Sequence, residues 1–306
     1  MKISIIGIGA IGGYIATHLL KTKQYSVQLL VKPNSLLRSQ ANLSITGLTK
    51  FNSIIDEVIY DPNQLSGDII FVTTKSTANS TLFKSLSHLK NKIFIILQNG
   101  IGAETELAEC VDSSNSIVGA ISNIKVTKGT QIGEIILHSH FKNVVYSVEQ
   151  PNFSSIQQEK LAVLPTLFNT IFSDVHSLSS IYQVRFPKLM INIACNAASI
   201  IHDQTLYGLA QSQESRKLIH LLSEEVRQVS QYYGVIIKES MMTDIINSFH
   251  AAQYKHVYFS MKQDFDSDLP LEMKHVFYNF IALAEQACIP VPNTKNAILQ
   301  IKTMLF

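Results

Sequence analysis

The chain has little charge and no excess of either sign: 16% of its 306 residues are charged, 25 basic against 23 acidic. Without a basic stripe to match a phosphate backbone or an anionic bilayer, neither nucleic acid nor a membrane is an expected partner, and a small neutral or anionic ligand is. Cysteine is scarce as well. Cys110, Cys195 and Cys288 are odd in number and far apart, which excludes a disulfide framework and gives no metal-ligand spacing, so no metal is expected. The reduced cytoplasm is the expected compartment. No stretch reaches the roughly 18 to 20 uninterrupted apolar residues of a membrane-spanning helix. The apolar start, Ile3-Ser4-Ile5-Ile6, is broken by Gly7, Gly9, Gly12 and Gly13 and is followed by no clean small-residue cleavage site, unlike a signal peptide. Internal repeats, low-complexity tracts and flexible linkers are also missing, which favours two closely packed domains with a cleft between them.

What is present is apolar and periodic. A content of 46% hydrophobic residues is enough to fold the chain throughout, and its length suits two cores rather than one. Up to about residue 150, short apolar runs alternate with helical patterns: Ile3–Ile6, Val27–Val31, Ile69–Thr73, Ile93–Leu97 and Ile117–Ile121. Runs without a polar face, spaced by helix-length segments, predict parallel strands buried on both sides. Further strands are expected at Glu134–Leu137 and Val144–Val148, then a helix around Ser155–Phe172 and an edge strand at Asp174–Leu178. From Tyr182 onward the period becomes helical, over Tyr182–Ile201, Ser215–Tyr233, Ser240–Phe249 and Leu271–Cys288. The expected architecture is an α/β domain over residues 1–178, doubly wound around a mainly parallel sheet, followed by an all-α domain over 179–306.

The first strand runs straight into Gly7-Ile8-Gly9-Ala10-Ile11-Gly12 and then a helical stretch, the order in which a Rossmann domain binds a dinucleotide. In that motif the first glycine permits the tight turn, the second lets the diphosphate approach the backbone, and the third lets helix and strand touch. The helix N-terminus then faces the phosphates. The second strand leads into Lys32, where NAD-binding domains usually carry an acidic residue for the ribose hydroxyls. A cation suits a 2′-phosphate instead, so the expected cofactor is NADPH.

Four later segments extend the pattern. Thr73-Thr74-Lys75 and Gln98-Asn99-Gly100 each follow a buried strand, at carboxyl ends where a doubly wound sheet binds its ligands. Lys188, Asn192 and Asn196 are spaced by four and eight, which sets three polar groups along one face of an apolar helix and suggests a cleft lining. Ser260-Met261-Lys262-Gln263-Asp264 precedes Glu272. With these segments in this order, essentially the whole chain resembles the ketopantoate reductase (2-dehydropantoate 2-reductase) family. The resemblance implies that Lys188 and Glu272 are catalytic, that Asn192, Asn196 and Ser260 contact the substrate, and that Lys75 and Asn99 line the junction of cofactor and substrate. It implies reduction of a small 2-oxo acid, ketopantoate, to pantoate on the way to pantothenate and coenzyme A. The chain departs from the family pattern at Val257, Tyr207 and Leu271, where asparagine, asparagine and threonine are common, and at Pro187, where an aromatic residue is common. Those departures bear on which 2-oxo acid is reduced.

Rival readings are another 2-oxo-acid or β-keto-acid reductase on this scaffold and a non-catalytic NADPH-binding sensor; retention of both Lys188 and Glu272 speaks against the sensor. Tyr258 and Lys262 match the tyrosine–lysine pair of short-chain dehydrogenases, but outside the glycine-motif domain, and are expected to be coincidental. His138 and His140 share one strand face and are expected to be solvated rather than metal ligands. An exposed apolar helix face in the second half could support a homodimer.

Overall fold

The apolar runs of the first half have no polar side to offer water, so each is stable only where helices or strands cover both of its faces. The computed structural model describes residues 1–139, 142–149 and 155–305 and places those runs at such positions. Strand β1 (Lys2–Ile6) leads through helix α1 (Ala10–Thr22) to β2 (Ser26–Leu30), β3 (Asn42–Gly47), β4 (Phe51–Ile54) and β5 (Glu57–Ile59). Next come β6 (Ile69–Val72), α2 (Asn79–Ser85), β7 (Ile93–Ile96), α3 (Ala103–Ala108) and β8 (Ser116–Ser122). They are followed by β9 (Val126–Lys128), β10 (Glu134–Leu137), β11 (Asn143–Glu149), α4 (Ser155–Leu161), α5 (Leu164–Ile171) and β12 (Asp174–Ser177).

The main sheet has the order β12-β11-β8-β7-β6-β1-β2-β5. From β5 across to β8 all pairings are parallel, β11 runs antiparallel to β8, and β12 closes the edge parallel to β11. Ile6 is in register with Leu30 on one side and Val72 on the other, so β1, β2 and β6 end together. The chain leaves β1 toward β2 and returns to its other flank with β6. A crevice forms at such a switch point, outside the carboxyl ends.

A smaller sheet, β4-β3-β10-β9, lies over α1. Sandwiched between two sheets, α1 buries residues all round, among them Tyr14, Ile15, Leu19 and Leu20. Here Glu134–Leu137 is a strand as expected, but it pairs with β3 and β9 and not with the main sheet. The single helix expected over Ser155–Phe172 is two, because Pro165 lacks the N–H that would continue α4 and instead starts α5 in its first turn.

The helical half holds α6 (Ile181–Ile201), α7 (Leu206–Gln211), α8 (Gln213–Tyr232), α9 (Met241–Ser248), α10 (Ser260–Asp266), α11 (Asn279–Gln286) and α12 (Pro292–Met304). A turn of π-helix at Lys274–Tyr278 precedes α11, so the helix expected over Leu271–Cys288 begins late and underwound. Buried Glu225 on α8 fixes the start of α12 by accepting from Asn293 N at 2.7 Å, Thr294 N at 2.8 Å and Thr294 Oγ1 at 2.7 Å. The chain forms two compact units, Met1–Gln98 with Ala103–Val184, and Asn99–Gly102 with Arg185–Phe306. Among the described residues no helix is long and apolar enough to cross a membrane.

Candidate active site

Each glycine of the first turn meets a different constraint. Gly7 has φ +90°, and a Cβ there would come within 2.6 Å of Thr74 Cγ2 and 2.8 Å of Thr74 N. A Cβ on Gly12 would lie 2.1 Å from the carbonyl oxygen of Gly7. Thr73 Oγ1 ties the same turn down by donating to the Gly7 carbonyl at 2.6 Å. Gly9 differs: it N-caps α1 with no side-chain cap, and nothing lies within 4 Å of where its Cβ would be. The open side of Gly9 adjoins the unsatisfied N–H groups of α1, whose first turn carries no acidic residue. That is the shape and polarity of a phosphate cradle, and the residues present fit a dinucleotide. In the rest of the motif, Ala10 opens α1, while half-buried Ile8 and Ile11 pack on the core.

A cavity of about 490 Å³ runs from this turn across the ends of β1 and β2. Ile8 and Gly9 line it at one end, and Leu30, Lys32, Tyr60 and Leu82 farther along. Lys75, exposed, caps the short 3₁₀ turn after β6. Buried Gln98 holds the chain ahead of it, donating to the Thr74 carbonyl at 3.0 Å and to Asn79 Oδ1 at 2.7 Å.

In the second unit, Lys188, Asn192 and Asn196 occupy successive turns of α6. Asn192 Nδ2 donates to Asn99 Oδ1 at 3.4 Å, Asn196 Nδ2 donates to the Asn192 carbonyl at 2.8 Å, and Asn196 Oδ1 accepts from Met261 N at 3.2 Å. The structure therefore gathers Asn99, Asn192 and Asn196 into one hydrogen-bonded chain that ends at the first turn of α10, where Ser260 is exposed. Asn196 does more than its spacing implied, since it anchors α10 to α6.

Half-buried Lys188 stands one turn before Asn192. Burial pushes its ammonium well below the ordinary lysine range, and the nearby Cys195 thiol only partly opposes this. Among the described residues no carboxylate stands within ion-pairing distance of that ammonium. Glu272 is buried just ahead of the π-turn, its carbonyl accepting from Val276 N at 3.1 Å. That turn is clasped to the segment carrying Asn99: Ile101 N donates to the His275 carbonyl at 2.9 Å, and Asn279 Nδ2 to the Ile101 carbonyl at 2.7 Å. Gly100 is required there, because a Cβ would sit 2.5 Å from the His275 carbonyl oxygen. Neither Asn279 nor the π-turn was signalled by the sequence, in which both look like ordinary helix.

The remaining candidates have other partners. Buried Lys262 pairs with Asp203 at 2.8 Å and with Asp266, and its Nζ lies 5.3 Å from the centroid of the Tyr258 ring. His138 Nε2 lies 2.8 Å from Thr127 Oγ1, and His140 lies outside the described residues. No group of three or more potential metal ligands occurs among the described residues.

Comparison with known proteins gives the family. The profile "Ketopantoate reductase PanE/ApbA" matches residues 3–146 and its C-terminal counterpart matches 180–304. The chain belongs to the ketopantoate reductase family. It is 25% identical over 312 residues to the 2-dehydropantoate 2-reductase of Nostoc sp., covering 98% of this chain and 94% of the relative. The 2-dehydropantoate 2-reductase structure from Geobacter metallireducens superposes with a TM-score of 0.86 at 21% identity, covering 99% of this chain and all 100% of that one. The ternary structure of D-mandelate dehydrogenase with NADH and anilino(oxo)acetate superposes at 0.81 with 17% identity, covering 99% and 97% of the two chains. Membership in the ketopantoate reductase family makes the chain an oxidoreductase on a Rossmann-type domain followed by a helical one.

Proposed function

We propose that this protein reduces 2-dehydropantoate to (R)-pantoate with NADPH, the reductive step on the way to pantothenate and coenzyme A. The observation that carries the reading is Lys188, a half-buried lysine with a lowered pKa and no ion-pair partner among the described residues, one turn from an asparagine relay. A bound nicotinamide would supply a hydride to the carbonyl carbon. The protein's work is at the oxygen. The Lys188 ammonium polarises the carbonyl, stabilises the growing alkoxide and delivers the Nζ proton to it, leaving a neutral amine that solvent reprotonates. A lowered pKa makes it a better acid than an ordinary lysine. Asn192, the remaining N–H of Asn196 and the exposed hydroxyl of Ser260 donate to the substrate carboxylate and hydroxyl without adding charge. Because Glu272 is not an ion-pair partner of Lys188, its carboxylate is assigned to accept from a substrate hydroxyl. Lys32 faces the 2′-phosphate, Lys75 the junction of the two ligands, and the Gly7–Gly12 turn the diphosphate.

The test is NADPH turnover with ketopantoate and a panel of 2-oxo acids. Lys188→Ala is expected to lose roughly 10² to 10⁴ in kcat and to keep its NADPH affinity. Glu272→Ala should lose less, and because Glu272 acts on the substrate hydroxyl and not through Lys188, its loss should add to that of Lys188→Ala in the double variant. Near wild-type turnover by Lys188→Ala would remove the mechanism. A wild-type protein that ignores ketopantoate but reduces another 2-oxo acid through Lys188 would move only the substrate. That second reading is favoured by Val257 and Tyr207: the carbonyl of Val257 holds Leu206 N at 2.8 Å, and Tyr207 packs against His250 where the family often carries an amide.

A further inference from the structure

Among the described residues, the cavity at the ends of β1 and β2 is lined by two formally charged residues, both positive, Lys32 and Lys128, and by no carboxylate. In a chain with 25 basic and 23 acidic side chains this one-signed lining is local. The two lysines come from different parts of the first unit, Lys32 from the loop after β2 and Lys128 from β9 of the small sheet. Lys32 opens a turn closed by Ser35 N donating to its carbonyl at 2.9 Å. Lys128 ends β9, in register with Ile135 of β10, and the next residue, Gly129, donates its N–H to the Glu134 carbonyl at 2.9 Å. Neither lysine is ion-paired among the described residues. Lys128 also lines an adjoining cavity of about 310 Å³ that shares Ile8, Ser35 and Leu37 with the first. Lys128 therefore lines both spaces, together with Ser35 of the turn that Lys32 opens, while Glu134 lines the adjoining one alone.

We infer that Lys128 is a second ligand of the cofactor's 2′-phosphate and, with Lys32, sets the preference for NADPH; this rests on the NADPH reading above. A phosphate monoester carries about −1.5 to −2 charges at pH 7, so one lysine leaves much of it unmatched and two neutralise it. The diphosphate already has the N-terminus of α1. The fit of an anion to two otherwise unpaired cations, on walls that are mostly apolar, is also the reason the site would discriminate: a cofactor without the 2′-phosphate leaves both lysines unmatched.

Calorimetry with 5′-AMP, 2′,5′-ADP and 5′-ADP on the wild type, Lys128→Met and Lys32→Met tests this, because the first two ligands differ only in the 2′-phosphate. Methionine keeps the apolar stem of an exposed side chain, so the fold is preserved. Wild type should prefer 2′,5′-ADP to 5′-AMP. Lys128→Met should weaken 2′,5′-ADP roughly five- to twentyfold and leave 5′-AMP and 5′-ADP within about twofold. Unchanged 2′,5′-ADP affinity in Lys128→Met, with a loss in Lys32→Met, overturns the role of Lys128 and leaves the NADPH reading standing. A loss felt equally by 5′-ADP makes Lys128 a diphosphate contact and overturns it too. A wild type that binds 5′-AMP and 2′,5′-ADP alike removes the NADPH reading and this inference together.

Discussion

At the scale of single residues, the glycine turn separates what the protein needs from what a ligand needs. Gly7 and Gly12 are excluded from carrying a side chain by the protein's own atoms, whereas at Gly9 the protein leaves the space empty. Gly9→Val should therefore fold, losing at most about 1 kcal/mol from the helix cap, and should fail to bind NADPH. Gly12→Ala should instead melt at lower temperature, since its Cβ would press on the Gly7 carbonyl. Melting curves and calorimetry on both variants decide it, and near-normal NADPH affinity in Gly9→Val would end the cradle argument. These roles were legible from sequence because strand, turn and helix follow one another within a dozen residues and the turn's geometry dictates them. The double engagement of Asn196 was not. Helical period assigns a side chain to a face but is silent on which backbone, here Met261 N from a helix 65 residues on, comes to meet it.

At the scale of elements, the buried parallel strands were readable because covering both faces leaves continuous apolar runs, and β1, β2, β6, β7 and β8 all fall on them. The strands β3, β4 and β9 were not foreseen: they belong to a small sheet with one open side, and their short, mixed sequences carry no strong period. The π-turn was equally invisible, since a helix with one residue too many keeps its composition. Yet that turn fixes Glu272 relative to the Asn99 segment through the clasp made by Asn279. Asn279→Ala strips the buried Ile101 carbonyl of its donor, at a cost of about 1–3 kcal/mol. With the clasp loosened, kcat should fall roughly tenfold through misplacement of Asn99, while 2′,5′-ADP affinity stays at the wild-type value because the first unit is untouched. A purely structural role would lower the melting temperature and leave kcat and KM of the folded fraction unchanged. That result would remove Asn279 from the positioning of the site.

At the scale of the whole molecule, two buried bases, one in each unit, shape how stability depends on pH. His18 on α1 sits against Tyr14 with ring centroids 4.1 Å apart and Nδ1 2.9 Å from the Tyr14 carbonyl; burial, against that hydrogen bond and together with Lys142 and Lys21, lowers its pKa to about 4. Between pH 6.5 and 4 the unfolded chain therefore binds a proton that the folded chain refuses, and stability falls as the pH drops through this window, by about 3 kcal/mol in full. Lys188 obeys the same sign at higher pH. Its folded pKa is depressed, so from that pKa up to the ordinary lysine value the unfolded chain binds more protons, and stability gained from this residue rises with pH. Below the folded pKa the buried ammonium is a constant cost. Buried Cys195, pushed up by desolvation, has the opposite effect in the alkaline range, so the lysine is best seen as a difference between variants. His18→Phe, which keeps an aromatic ring against Tyr14, should flatten the fall between pH 6.5 and 4. Lys188→Met should be more stable than the wild type at pH 7 although inactive, with the gap narrowing toward pH 10, the pattern expected where a catalytic group is held at the expense of stability. Because the two residues lie in different units, their effects should add in the double variant. Urea midpoints at pH 4.5, 7 and 9.5 measure all of this. An acid limb that survives in His18→Phe would show that His18 is not the group that refuses the proton, and a Lys188→Met protein no more stable than the wild type at pH 7 would show that Lys188 is not held in the charge-averse surroundings on which its proton-donor role depends.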